Sequence, residues 1–201
     1  MIGPAPSVRR AERSDLDEVV RTLTRAFYDD PVMRWFFPDD GNRAALNERF
    51  FRLRIAGLLA QEEVYTTDDH SGAACWAQPG RWEMGPLEGL MFVMRVLPMT
   101  RLRTPLLARG WSAVDAAHPK EPHWYLAILG TEPESQGRGI GSALMQPVLD
   151  DCDRNEVPAY LESSKRSNLD FYARHGFRVT EELTLPEGPT IWPMWRDPRR
   201  V

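Results

Sequence analysis

Three glycines on alternate positions, Gly137, Gly139 and Gly141, stand between Gln136 and Ser142. With no Cβ in the way, such a backbone turns tightly and comes close to a ligand. If a helix follows, its unpaired N–H groups are aimed at whatever sits in front of the turn, which makes a cradle for phosphate or pyrophosphate. Two familiar loops do not fit. A dinucleotide fingerprint needs G-x-G-x-x-G, and here the third glycine comes one residue early. A P-loop ends in Gly-Lys-Ser/Thr, and no lysine follows any of these glycines. Downstream lie Asn168 and Tyr172, and two carboxylates of interest, Glu162 and Asp30, are separated along the chain. A tyrosine that titrates near ~10 still has a proton to give at neutral pH. A carboxylate can take a proton or hold a cation.

Elements must position these groups. Trp124–Gly130 reads as a buried strand before the glycines. After them Ile140, Leu144, Val148 and Cys152 recur every fourth residue, with Met145 and Leu149 beside them, as a helical stripe. Pro147 lies inside that stripe and should cost about 3 kcal/mol in a regular helix, so a kink or local break is expected. Residues 158–162 read as the next strand and residues 168–177 as a short helix closed by Gly176 in the left-handed conformation. Upstream, residues 7–10 suit a strand. Ser14, with Asp17 three residues on, reads as the cap of a helix whose face carries Leu16, Val19, Val20, Leu23 and Phe27. Asp29-Asp30-Pro31 ends it.

Residues 43–61 read as a second helix. Residues 64–67 and 73–77 form a strand pair around the turn 68–72. Residues 84–97 suit a helix with Leu87, Leu90, Met91, Met94 and Leu97 on one side, and another helical stretch runs toward His118. Residues 178–185 and 190–196 are final strands, the latter including Trp192-Pro193-Met194-Trp195, which suits a strand better than a dimer contact. The order of elements gives an α/β fold with a mixed sheet.

Length and charge set bounds. A chain of 201 residues with a net charge of −4 suits one domain, here 1–201 with a helical insertion at about 80–118. Scattered basic residues on an acidic chain argue against nucleic-acid partners. Cys75 and Cys152 have no C-x-x-C spacing and no His neighbours, so they read as small core residues rather than metal ligands or a disulfide. The N-terminal residues lack the apolar core of a signal peptide, and no run approaches a membrane span, so a cytoplasmic protein is expected.

Gln136-x-x-Gly139-x-Gly141 resembles the coenzyme A pyrophosphate loop of the GCN5-related N-acetyltransferases (GNAT), and Asn168, Phe171, Tyr172 and Gly176-Phe177 resemble that family's second signature. The resemblance implies a mostly antiparallel, GNAT-like mixed central sheet flanked by helices. Its coenzyme strand and the next one splay apart, with acetyl-coenzyme A as co-substrate in the gap. It further implies that Gln136, Gly137, Arg138, Gly139, Ile140, Gly141 and Ser142 hold the phosphates. Backbone groups at Leu129, Gly130 and Thr131 would meet the acetyl carbonyl and pantetheine, Asn168 the pantetheine side, and Tyr172 would act as general acid toward the sulfur.

The chain is also similar, nearly end to end, to the puromycin N-acetyltransferase branch. The segments that carry this are residues 20–23, Ala26-Phe27, residues 119–122, Leu161-Glu162 and residues 186–189, together with Pro147. Two departures fall on the acceptor side. Asp30 stands where that branch has a tyrosine, and residues 80–114 look little like it.

Glu162 closes its strand and could face the acceptor amine, directly or through water, as the base; Asp30 is its rival, and either could instead hold the ammonium. His123, opening a strand, and His175, at a helix end, read as structural. Tyr28, Asp30, Trp35 and Trp76 are the candidate acceptor-binding residues, with Phe36, Trp82 and Met91 beside them. The expectation is an acetyl-coenzyme A-dependent N-acetyltransferase for a small-molecule amine such as an antibiotic or other xenobiotic, monomeric or homodimeric. The alternatives are a non-catalytic acyl-coenzyme A sensor and a protein N-acetyltransferase.

Overall fold

The computed structural model describes residues 7–59, 63–82 and 85–199. In chain order the strands are β1 (Val8–Arg10), β2 (Val64–Thr67), β3 (Gly72–Ala77), β4 (Trp124–Thr131), β5 (Ala159–Ser163), β6 (Arg178–Val179), β7 (Leu183–Thr184) and β8 (Thr190–Arg196). The α-helices are α1 (Leu16–Ala26), α2 (Pro31–Phe36), α3 (Asp40–Leu59), α4 (Pro86–Thr100), α5 (Thr104–Ala117), α6 (Ile140–Arg154) and α7 (Leu169–Arg174). The sheet order is β1-β2-β3-β4-β5-β8-β6, with β7 pairing β8. Among the described residues all pairings are antiparallel except β4 with β5.

That one parallel pairing shapes the centre of the molecule. It covers only Trp124↔Ala159, Tyr125↔Tyr160 and Leu126↔Leu161, although β4 runs on to Thr131. At the same point the pairing of β3 with β4 steps from Cys75↔Ile128 to Trp76↔Leu126, leaving Ala127 as the extra residue of a bulge. Trp124 and Leu126 pack on the face covered by α6, whereas Ala127 and Ile128 both pack with α1 and α3. A bulge bends its strand and sharpens the local twist. Beyond Leu126 the two middle strands therefore part, and the backbone edge of β4 that faced β5 has no strand partner.

Each face of the sheet has its own core. On one side Ile140, Leu144, Met145, Val148, Leu149 and Cys152 of α6 pack against Ala74, Trp76, Trp124, Leu126 and Leu161. The four-residue repeat in the sequence is thus the buried stripe of α6, and Cys152 is one of its core residues. The helix runs through Pro147 without a break. On the other side Val19, Val20 and Leu23 of α1 and Phe50, Phe51 and Ile55 of α3 cover Val64, Ala73, Cys75 and Ile128. Burial pushes the thiols of Cys75 and Cys152 up to about 12, as suits inert core side chains. No helix among the described residues is long and apolar enough to cross a membrane.

Several local readings are corrected. The capping box at α1 is made by Glu12 and Asp15 around a short 3₁₀ turn, not by Ser14 and Asp17. Asp30-Pro31 does not only stop α1; it starts α2, with Asp30 as N-cap and Pro31 in the first turn, where its missing N–H costs nothing. The apolar stripe of α4 faces outward: Leu87, Leu90, Met91, Met94 and Leu97 are all exposed. Phe92, Val96 and Met99 make the buried side, because α4 is apolar nearly all round. Residues 178–185 form two short strands rather than one, and Trp192–Trp195 belong to β8.

Candidate active site

The glycine turn is built as its spacing requires. Gly137 and Gly139 have φ of +75° and +82°, and Gly139 is the N-cap of α6. A Cβ at either position would meet nothing within 4 Å, so both open onto unfilled space. The first backbone bond that α6 returns is from Ala143 N–H to Gly139 O, at 3.0 Å. The N–H groups ahead of it point out of the helix toward that space. Arg138 is exposed beside them. Gln136 Nε2 donates back to Thr131 O at 3.5 Å, tying the turn to the end of β4. Ser142 Oγ lies 2.9 Å from His175 Nε2. Burial, then Arg174, pulls the His175 pKa down. A neutral His175 that donates from Nε2 to Ser142 leaves the hydroxyl proton free for a phosphate oxygen.

Tyr172 projects from α7 into the α6-side core, against Phe171 and Phe177 with ring centroids 5.1 and 6.1 Å away. The residue is buried, yet its hydroxyl has no hydrogen-bond partner among the described residues and is not among their fully enclosed unpaired atoms. Burial, then the charge of Asp30, raises its pKa above the ordinary tyrosine value. The group keeps its proton and has no acceptor to spend it on. Asn168 is the N-cap of α7, half-buried, and its side chain makes no cap bond.

A polar cluster occupies the other face of the sheet, where β4 and β5 begin to part. Leu126 and Leu161 face α6, so the alternation of a strand turns Tyr125, Tyr160 and Glu162 the opposite way. Tyr125 Oη donates to Glu162 Oε2 at 2.8 Å. Burial, then the Glu162 charge, pushes both tyrosines up, so both keep their protons. Glu162 Oε1 and the Tyr160 hydroxyl are enclosed with no hydrogen-bond partner among the described residues. His118 Nδ1 is 3.4 Å from Oε1, a contact without hydrogen-bond geometry.

The partners assign the histidine tautomers. His123 Nδ1 is 2.6 Å from Glu121 O and must carry a proton. Burial lowers the His123 pKa, so its Nε2 is an acceptor, and His118 Nε2, 3.0 Å away, is the donor. His118 then turns its Nδ1 toward the carboxylate. Trp82 stacks on His118 with centroids 3.6 Å apart.

Residues 113–197 match the family model described as acetyltransferase (GNAT) domain. Over that segment the chain is similar to GNAT acetyltransferases. It is 25% identical over 195 residues to an uncharacterized N-acetyltransferase of Schizosaccharomyces pombe, covering 89% of this chain and 77% of that one. Among solved structures, a histone acetyltransferase HPA2 and related acetyltransferase of Corynebacterium glutamicum superposes with a TM-score of 0.74 at 24% identity, covering 98% of both chains. The PaiA N-acetyltransferase of Thermoplasma acidophilum, solved in complex with coenzyme A, has a TM-score of 0.59 at 10% identity and covers 96% of this chain and 99% of that one. The likeness to these two structures concerns the fold: an open, mostly antiparallel sheet flanked by helices.

Within the GNAT fold, the structure brings the loop 136–142, the end of β4, Asn168 and Tyr172 to one side of the parting strands and Glu162 to their vertex. The acceptor candidates are spread over several parts of the fold. Asp30 is 3% exposed and fully engaged: Oδ1 accepts from Val32 N and Met33 N at 2.9 and 3.2 Å, and Oδ2 accepts from Ser164 Oγ. It caps α2 and its charge acts on Tyr172. Trp76 is fully buried on the α6 side against Trp124. Trp35 belongs to a satellite core with Leu107, Leu185 and Ile191. Tyr28 is half-exposed under the Arg43 guanidinium, 5.6 Å from the ring centroid. Trp82 and Met91 do line a cavity, of about 790 Å³, whose floor includes Tyr125 and Ala127. Sequence reasoning missed Tyr125 and His118. The spacing of Tyr125 from Leu126 on a strand was the available signal; for His118 there was none.

Proposed function

We propose that the protein is an acetyl-coenzyme A-dependent N-acetyltransferase for a small-molecule amine, the whole chain forming one domain with α4 and α5 inserted between β3 and β4. The observation that carries this reading is the parting of β4 and β5 after Leu126↔Leu161, with the glycine turn on one side and an unpaired carboxylate oxygen of Glu162 at the vertex. Open space over two left-handed glycines and outward N–H groups fit a pyrophosphate, and an unpaired strand edge fits an extended, amide-bearing chain. Acetyl-coenzyme A would supply an activated thioester.

The residues of this chain do the rest. Amides 137–142 and the Ser142 hydroxyl bind phosphate oxygens. Backbone N–H groups on the free edge of β4 at Leu129 to Thr131 polarise a carbonyl, a contact of the kind worth about 3 kcal/mol. Glu162 takes a proton from the acceptor's nitrogen at Oε1 while Tyr125 holds Oε2. Tyr172 gives its proton to the departing sulfur, and Asn168 steadies the coenzyme's pantetheine side. The puromycin-branch resemblance and the covering helices α4 and α5 support a small-molecule acceptor over a protein chain.

The test is thiol release from acetyl-coenzyme A across a panel of amines, puromycin among them, with Tyr172→Phe alongside. Amine-dependent release that collapses in the variant supports the enzyme. Tight coenzyme binding with no release on a broad panel supports a sensor.

A further inference from the structure

The cavity above Tyr125 and Ala127 is unusual in its charge. Its apolar walls come from Leu53, Trp82, Met91 and Phe92, while Arg52, Arg54, Arg81 and Arg95 stand around it. Glu88 is the one acid among its described lining residues. This concentration of positive charge occurs in a chain whose net charge is −4. Arg52 is already paired with Asp17 at 2.5 Å, and Arg54 lies over Phe92 at 5.6 Å. Arg81 and Arg95 are exposed, and their side chains have no ion pair or hydrogen bond among the described residues. The inner end is the opposite in character: Tyr125 hands the cavity floor on to Glu162, and Trp82 on to His118.

Resting on the acetyltransferase reading, we infer that the acceptor is an amine carrying an anionic group, a carboxylate or phosphate, on an apolar or aromatic body. Its anion sits among Arg81, Arg95 and Arg54, its body lies between α3 and α4, and its nitrogen reaches the Glu162 vertex. Planar guanidinium forks match carboxylate and phosphate oxygens. The same positive field disfavours an ammonium and favours the neutral amine that must attack. It also disfavours polyamines and lysine-rich peptides, which bring only positive charge to an arginine-lined entrance.

The experiment uses matched probes: phenylalanine and glycyl-phenylalanine, each beside its C-terminal amide, with spermidine as the cationic control. Binding to the coenzyme A-saturated protein is measured by calorimetry, and thiol release with acetyl-coenzyme A by kinetics, for the native chain and for Arg81→Glu/Arg95→Glu and Arg81→Gln/Arg95→Gln. Both arginines are exposed, so the fold should tolerate the changes. The acid of each pair should bind at least about tenfold better than its amide. That preference should vanish in the glutamine variant and reverse in the glutamate variant. Amides that bind as well as acids, a preference that survives charge reversal, a preference for spermidine, or no binding of any acid would overturn the inference. Acids that bind through the arginines but are never acetylated would sink the acceptor reading while leaving the anion site standing.

Discussion

Replacing Glu162 by glutamine separates its chemistry from its place in the fold. The carbonyl of the new side chain can accept the Tyr125 hydroxyl in place of Oε2, which now receives it at 2.8 Å. The amide nitrogen then takes the place of Oε1 and can donate to His118 Nδ1, 3.4 Å away. Both neighbours keep a partner, so stability should change by less than about 1 kcal/mol. What is lost is the lone pair that takes the amine's proton. A positioned base contributes roughly 10²–10⁴-fold. Glu162→Gln should therefore lower kcat/KM by about that factor, or about 3–5 kcal/mol of barrier. The assay is thiol release at several pH values, with a melting curve for each variant. The deficit should shrink as pH approaches the acceptor's own pKa, because the amine then arrives already deprotonated. A well-folded Glu162→Gln variant within about threefold of the native kcat/KM at every pH would show that Glu162 is not the base.

Three further outcomes follow from the geometry. Gly139→Val puts a β-branched residue at φ +82° and a side chain into the open cradle; it should cost at least about 1–2 kcal/mol of stability and more than about tenfold in coenzyme A affinity, read by melting and calorimetry. Tyr172→Phe removes a hydroxyl that bonds no described residue, so Tm should hardly move while kcat falls by about 10²-fold or more; because burial raises the Tyr172 pKa, activity should show no alkaline limb from this group until pH passes the ordinary tyrosine range. Asp15 accepts from Arg9 at 2.7 and 2.9 Å, from Glu12 N at 2.7 Å, and lies 2.8 Å from His70 Nε2; the Arg9 bonds, above all, hold it well below the usual carboxylate range. Its stabilisation is present above the unfolded carboxylate pKa and is lost as pH falls through the folded one. Asp15→Asn should therefore destabilise the protein at neutral pH by about 1–3 kcal/mol and flatten the acid limb of a Tm-versus-pH curve.

The glycine turn and the helices beside it were legible because their information is local. Gly137 and Gly139 adopt the left-handed turn that their spacing required, and the four-residue repeat from Ile140 to Cys152 faces the core. Tyr172 and Gly176 likewise sit on one short helix and its end. The polar cluster around Glu162 is assembled from distant segments. Nothing near His118 in the chain announces that it meets Glu162, 44 residues on. Asp30 looks available in sequence, yet Ser164 and two amides occupy both its oxygens. Trp76 could have faced either side of β3; only the pairing and the bulge at Ala127 decide that it joins the α6 core. The outward stripe of α4 misled for a related reason: on a helix apolar nearly all round, periodicity cannot say which side is covered.

The central claim is acetyl transfer at the parting of β4 and β5. The most direct measurement quantifies free thiol and acetylated amine together, by absorbance and mass spectrometry, in one reaction with acetyl-coenzyme A and an anionic aromatic amine. The account predicts equal yields of the two products, both strongly reduced together by Gly139→Val and by Glu162→Gln. Thiol released with no acetylated amine, or transfer indifferent to both substitutions, would contradict it.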